Sequence, residues 1–161
     1  MGDAFDRCWR TFGTALSFAA FGLGGLLLRV LVFPPLRLFT RDPGTLQRRA
    51  RALIRISFAT HIGIMHRLGV MTYEIHGLER LQRRGLLVLA NHPTLVDVVL
   101  LVSRLPHADC VVKSKLANNP FTRGPVRATG YICNDNGAGL VDDCIASVRA
   151  GYNLLVFPEG T

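Results

Sequence analysis

The chain has 161 residues, of which 49% are hydrophobic and 19% charged, with a formal net charge of +8. That length suits one domain with a real core, and the apolar balance excludes a disordered or low-complexity chain. The four cysteines, Cys8, Cys110, Cys133 and Cys144, form no C-x-x-C pair, which argues against a zinc site and for reduced thiols.

The positive charge is unevenly spread. Residues 1–70 hold ten arginines against three aspartates, a net +7, whereas residues 71–161 are near balance at +1. The basic charge therefore sits in the more apolar half. An anionic lipid surface fits that combination better than nucleic acid, because aromatic side chains for base stacking are few.

Arg10 and Arg29 bracket eighteen uncharged residues, Thr11 to Leu28. The hydrophobic segment is taken as 11–33, with Pro34-Pro35 expected to end any helix. A spanning helix needs about 20 apolar residues, so two placements stay open: a transmembrane helix that snorkels Arg29, or a helix lying in the interface. A cleaved signal peptide is disfavoured, because no small-x-small site follows Leu28. Residues 41–45 read as a turn, and 46–68 as a basic amphipathic helix with Arg48, Arg49, Arg51 and Arg55 in its first half. Its apolar stripe serves either its own domain or a bilayer.

From residue 71 the period changes. Residues 71–76 read as a strand and 86–90 as a short buried one. A helix over 94–105 follows, with Thr94 a possible cap, then a second buried strand at 110–113. Residues 114–128 are expected to be helical in pieces, broken at Pro120 and at Gly124-Pro125. A short strand at 131–133, a helix over 140–150 closed by Gly151 and a strand at 153–157 complete the order. Strands alternating with helices predict an α/β domain with a largely parallel sheet flanked by helices. It is preceded by an N-terminal hydrophobic and basic helical region that associates with a membrane. The boundary falls near Gly69, giving regions 1–69 and 70–161.

Two strings carry chemistry. Asn91-His92-Pro93-Thr94-Leu95-Val96-Asp97 puts a histidine just past a predicted strand and an aspartate in the first turn of the next helix. Ligands gather at such carboxyl strand ends in open α/β sheets. A carboxylate partner fixes the histidine tautomer and favours the imidazolium, so His92 and Asp97 form a candidate general-base pair. Phe157-Pro158-Glu159-Gly160-Thr161 lies past another predicted strand, and Glu159 is expected to point into the same crevice. No G-x-S-x-G string is present to supply a serine nucleophile.

The first string resembles N-H-x4-D, the first motif of the glycerolipid (lysophospholipid) acyltransferase family, and F-P-E-G-T resembles that family's third motif. The two lie in order, a little over sixty residues apart. The resemblance implies an O-acyltransferase that moves a fatty acyl group from acyl-CoA or acyl-carrier protein to a lysophospholipid such as 1-acyl-glycerol-3-phosphate. On it, His92 takes the hydroxyl proton, Asp97 orients His92, and Pro158, Glu159, Gly160 and Thr161 help to position the acceptor. No metal or cofactor is implied. The family's second motif, roughly G-x-I-x-x-x-R, matches here at Gly130 and Ile132, but Asn136 stands where the arginine that holds the acceptor phosphate is expected. An amide has no fixed positive fork. Lys113, Lys115, Arg123 or Arg127 are the candidate replacements, and a different acceptor is the other reading.

Family members continue past the third motif, so residues 70–161 are expected to be an incomplete acyltransferase domain whose C-terminal part is missing. The isolated 161 residues are then expected to be inactive or poorly folded. The implied location is a membrane at its cytoplasmic face, the inner membrane in a bacterium, with anionic lipids as partners and no nucleic acid. The competing class is a non-catalytic membrane-binding protein acting through the basic N-terminal half. High salt is expected to loosen an interfacial helix and to leave a spanning one in place. Extraction from membranes by salt alone therefore excludes the spanning placement.

Overall fold

The structure is a computed structural model, and it describes residues 2–158 except 92, 93, 120, 121 and 136. It opens with α1 (Gly2–Leu27), a π-helical turn (Leu28–Val32) and α2 (Phe33–Phe39), which run on as one rod. Pro34-Pro35 does not end it. The prolines fall in the first turn of α2, directly after the π-helical step, whose wider turn accommodates their missing N–H groups, and the Phe33 N–H bonds to the Leu28 carbonyl across it. Its apolar, charge-poor stretch from Asp6 to Phe39 is long enough, by length and composition, to cross a membrane.

The basic helix, α3 (Pro43–Arg67), starts inside the expected turn. Pro43 suits its first position, and the Asp42 carboxylate accepts the Thr45 N–H at 2.7 Å. The rod packs along α3. Trp9 Nε1–H donates to the Leu68 carbonyl at 3.0 Å, the Phe21 ring lies 4.5 Å from that of His61, and Phe33 is buried beside Ala50 and Ile54. A Cβ on Gly13 would come within 2.8 Å of Val70 Cγ2, so glycine permits the close approach.

Residues 71–76 keep the alternating burial of an extended chain but pair with no strand among the described residues. Their expected ladder is replaced by local anchors. The Val70 N–H bonds to the Met65 carbonyl, and the Tyr73 hydroxyl takes a bond from Arg104 Nη2 at 2.6 Å.

The remaining elements are β1 (Leu87–Leu89), α4 (Leu95–Arg104), β2 (Ala108–Val112), α5 (Ser114–Asn118), α6 (Arg123–Thr129), β3 (Ile132–Cys133), α7 (Gly139–Arg149) and β4 (Asn153–Val156). The break expected at Gly124-Pro125 is absent, because Pro125 falls in the first turn of α6, where proline is tolerated. The strands form a parallel sheet in the order β1-β4-β2-β3. The α/β reading with a parallel sheet therefore holds. On one face Val88, Cys110, Val112 and Leu155 pack with α3, α4 and the start of α2. The other face carries α7.

One charged contact ties the layers together. Arg51 of α3 reaches beneath the sheet to Asp109 of β2 at 3.1 Å, with both side chains buried. Its Nε–H donates to the Thr129 carbonyl at 2.8 Å, and its guanidinium carbon lies 4.3 Å from the centroid of Tyr152. Asp109 also accepts the Ser147 hydroxyl at 2.7 Å. Removing one partner leaves a buried charge without its counterion, which costs about 3–5 kcal/mol. Arg51→Ala and Asp109→Ala are each expected to lower stability by about that much in denaturant melts, with the double variant losing less than the sum of the two. Losses of only a few tenths of a kcal/mol would contradict the role given to the pair.

Candidate active site

The parallel pairing of β1 with β4 decides which loops meet. Leu87, Val88 and Leu89 stand opposite Leu154, Leu155 and Val156, and the Ala90 N–H extends the ladder to the Val156 carbonyl at 3.2 Å. Both strands run the same way, so Asn91 and Phe157-Pro158 leave the sheet side by side. The two chemistry-bearing strings thus begin at adjacent carboxyl ends. His92, Glu159, Gly160 and Thr161 lie outside the described residues, as does Asn136.

Helix α4 starts from this edge with a reciprocal cap. Thr94 has extended backbone angles, φ −134° and ψ 159°. Asp97 Oδ2 accepts both the Thr94 N–H and the Thr94 hydroxyl, each at 2.8 Å. The cap is the local reason the helix begins at Leu95. It also fixes the Asp97 side chain, half-buried, on the first turn beside the β1 exit. One carboxylate oxygen is committed to the cap, and Oδ1 has no donor among the described residues.

A cavity of about 780 Å³ opens on the α7 face of the sheet. Leu87, Leu154 and Val156 form its floor and Val141, Cys144 and Ile145 of α7 one wall. Leu95, Lys113, Asn134, Phe157 and Pro158 lie at the carboxyl-end mouth. Lining at that end brings together Pro158 and Lys113 from the sequence-predicted set. Arg149 also lines the cavity, but it ends α7 just before β4 begins, so it belongs to the opposite end. Lys115, Arg123 and Arg127 are exposed and are not among the lining residues.

Gly130 and Ile132 have structural work. Gly130 closes α6 with φ +62°, a conformation that favours glycine. A Cβ there would sit 2.5 Å from Gln47 Nε2. Ile132 pairs with Val111 in the β2–β3 ladder. Cys110, also on the cavity, is no ready nucleophile, because burial and then the nearby Asp109 push its thiol up to about 12. Among the described residues no three His, Cys, Asp or Glu side chains cluster as a metal site. Asn134 and the apolar trough over the α7 face escaped the sequence reading. Asn134 falls at a variable position of the second motif, which gives it no signal of its own, and the trough needs the strand order.

A family model described as Acyltransferase matches residues 72–161, more than half of the chain. Comparison with curated proteins gives no match. Among solved structures, the 1-acyl-sn-glycerophosphate (LPA) acyltransferase PlsC from Thermotoga maritima superposes with a TM-score of 0.70 at 18% identity. The alignment covers 94% of this chain and 63% of that one, so the chain spans less than two thirds of the solved relative. At that identity the likeness carries the fold, a partial version of the same α/β layering.

The cap gives a direct structural expectation. Thr94→Ala removes the hydroxyl bond to Asp97 Oδ2 while keeping the backbone N–H bond, and is expected to destabilise the protein by about 1 kcal/mol. A thermal melt unchanged from wild type would show that the cap contributes nothing.

Proposed function

The chain belongs to the acyltransferase family, and we propose that it transfers a fatty acyl group from a thioester donor to the free hydroxyl of a lysophospholipid. The observation that carries the reading is the pairing of β1 with β4, which starts the N-H-x4-D and F-P-E-G-T strings from adjacent strand ends. His92 takes the proton of the acceptor hydroxyl as that oxygen attacks the thioester carbonyl. The carbon–sulfur bond then breaks, and the departing thiolate recovers the proton from the imidazolium. Asp97, held by the Thr94 cap, presents its second oxygen to His92 and favours the charged ring. Glu159 and Gly160 position the glycerol part of the acceptor. Acyl-CoA or acyl-carrier protein supplies the thioester, and 1-acyl-glycerol-3-phosphate is the acceptor type that the family motifs favour. With Asn136 in the arginine position, Lys113 at the cavity mouth is the cation that meets the acceptor phosphate.

The reading includes a membrane surface. The α1–α2 rod turns large apolar side chains outward, among them Phe12, Leu23, Leu31, Leu38 and Phe39, the last 81% exposed. Its other side stays on α3 from Trp9 to Phe33. Helix α3 carries Arg48, Arg49, Arg55 and Arg67, which hydrocarbon does not tolerate without cost. A rod tied along so basic a helix fits the interface better than a perpendicular span. Anionic headgroups would then meet the arginines while the outward apolar face enters the acyl-chain boundary.

The test is acyl transfer in membranes that hold the full-length gene product, with labelled acyl-thioester and a panel of lysolipid acceptors. His92→Ala is expected to lower kcat by about 10²–10⁴, and Asp97→Asn to lower it with little change in acceptor KM. Transfer that survives His92→Ala undiminished would overturn the assignment.

A further inference from the structure

Asn134 brackets Lys113. Its backbone N–H donates to the Val112 carbonyl at 3.0 Å, one residue before the lysine. Its side-chain Oδ1 accepts the Ser114 N–H at 3.1 Å, one residue after it. One residue thus fastens the chain on both sides of Lys113, at the point where β2 gives way to α5. The Lys113 carbonyl is taken up in turn by the Leu116 N–H at 2.8 Å. Lys113 and Asn134 both line the mouth of the cavity, beside Pro158.

We propose that Asn134 is a positioning residue that sets where the Lys113 ammonium stands, and so fixes the enzyme's preference for acceptors with an anionic headgroup. The proposal rests on the acyl-transfer reading above. A lysine is a point charge on a flexible stem, so its usefulness for one phosphate depends on how firmly its backbone is held. Strand β3 has only two residues and contributes little ladder of its own, which leaves the Asn134 side chain as the second fastening. The amide suits the place because it accepts the Ser114 N–H without charge. A carboxylate there would accept the same bond and partly cancel the lysine.

The experiment compares wild type, Asn134→Ala, Lys113→Ala and the double variant of the full-length protein in membranes. Two acceptors are used, 1-acyl-glycerol-3-phosphate and phosphate-free 1-acylglycerol. Asn134→Ala is expected to raise KM for the phosphate acceptor by about tenfold, with kcat within about twofold, and to leave KM for the neutral acceptor in place. On the Lys113→Ala background it is expected to add nothing. Equal losses on both acceptors, or independent losses in the double variant, would overturn the proposal, because a merely structural residue behaves that way. Asn134→Leu keeps the volume and deletes the acceptor oxygen, so it replaces the alanine variant if that fails to fold. If wild type transfers to neither acceptor, the acyl-transfer reading falls, and the bracket is judged by amide exchange alone. Faster exchange at Ser114 in the variant then upholds the fastening of Lys113, and unchanged exchange refutes it.

Discussion

The buried pair of Arg51 and Asp109 is the contact on which the arrangement turns. Arg51 belongs to the helix that also carries the outward arginines, yet its side chain leaves that surface and ends under the sheet. There it meets β2 through Asp109, the end of α6 through the Thr129 carbonyl, and the turn before β4 through Tyr152. Ser147 adds α7 to the same carboxylate. Burying two charges is costly, and further hydrogen bonds and the Tyr152 ring offset only part of that cost, since Arg51 Nη1 is buried with no hydrogen-bond partner among the described residues. The pair therefore works less as a source of stability than as a registration device. It joins the basic N-terminal region to both faces of the sheet at one point.

That fastening sits at the beginning of β2 and just before β4, at the amino ends of the parallel strands. The carboxyl ends at the opposite edge are left to loops, and there the chemistry-bearing strings begin. Parallel strands make this division possible, because each delivers its trailing loop to the same side. The cap at Thr94 then serves two purposes. It starts α4 and fixes the one carboxylate that the proposed base needs. A rigid scaffold below and a few oriented groups above are what general-base catalysis without a covalent intermediate requires.

Much of this was legible in the residues. The alternation of apolar runs with helical periods marked β1, β2, β4, α4 and α7 to within a residue or two, because each is bounded by a turn signal such as Gly85, Thr94 or Gly151. The Thr94 cap was legible for the same reason. Three readings failed where a local rule met a tertiary partner. Pro34-Pro35 was expected to stop a helix but falls in a first turn after a π-helical step. The alternation at 71–76 described a real extended chain, but alternation says nothing about whether a ladder partner exists. The Gly124-Pro125 pair likewise sits where a helix begins rather than where it ends. Two features had no local signature at all. Arg51 looks like its arginine neighbours in sequence, and only the fold turns it inward. The neighbourhood of β1 and β4 depends on strand order, which separates residues by more than sixty positions and leaves no period to read.

The account stands on the claim that the two strings leave the sheet side by side. It is tested most directly by placing cysteines at Asn91 and Pro158, the positions that follow the last β1–β4 pairs. Neighbouring parallel strands lie about 4.8 Å apart, inside the window of roughly 4.4–6.8 Å that a disulfide bridges between α-carbons. The account predicts that mild oxidation of the folded Asn91→Cys, Pro158→Cys variant joins the two peptides in one disulfide, read by mass spectrometry after digestion. Two free thiols that each react with a maleimide, and no joined peptide, would contradict it.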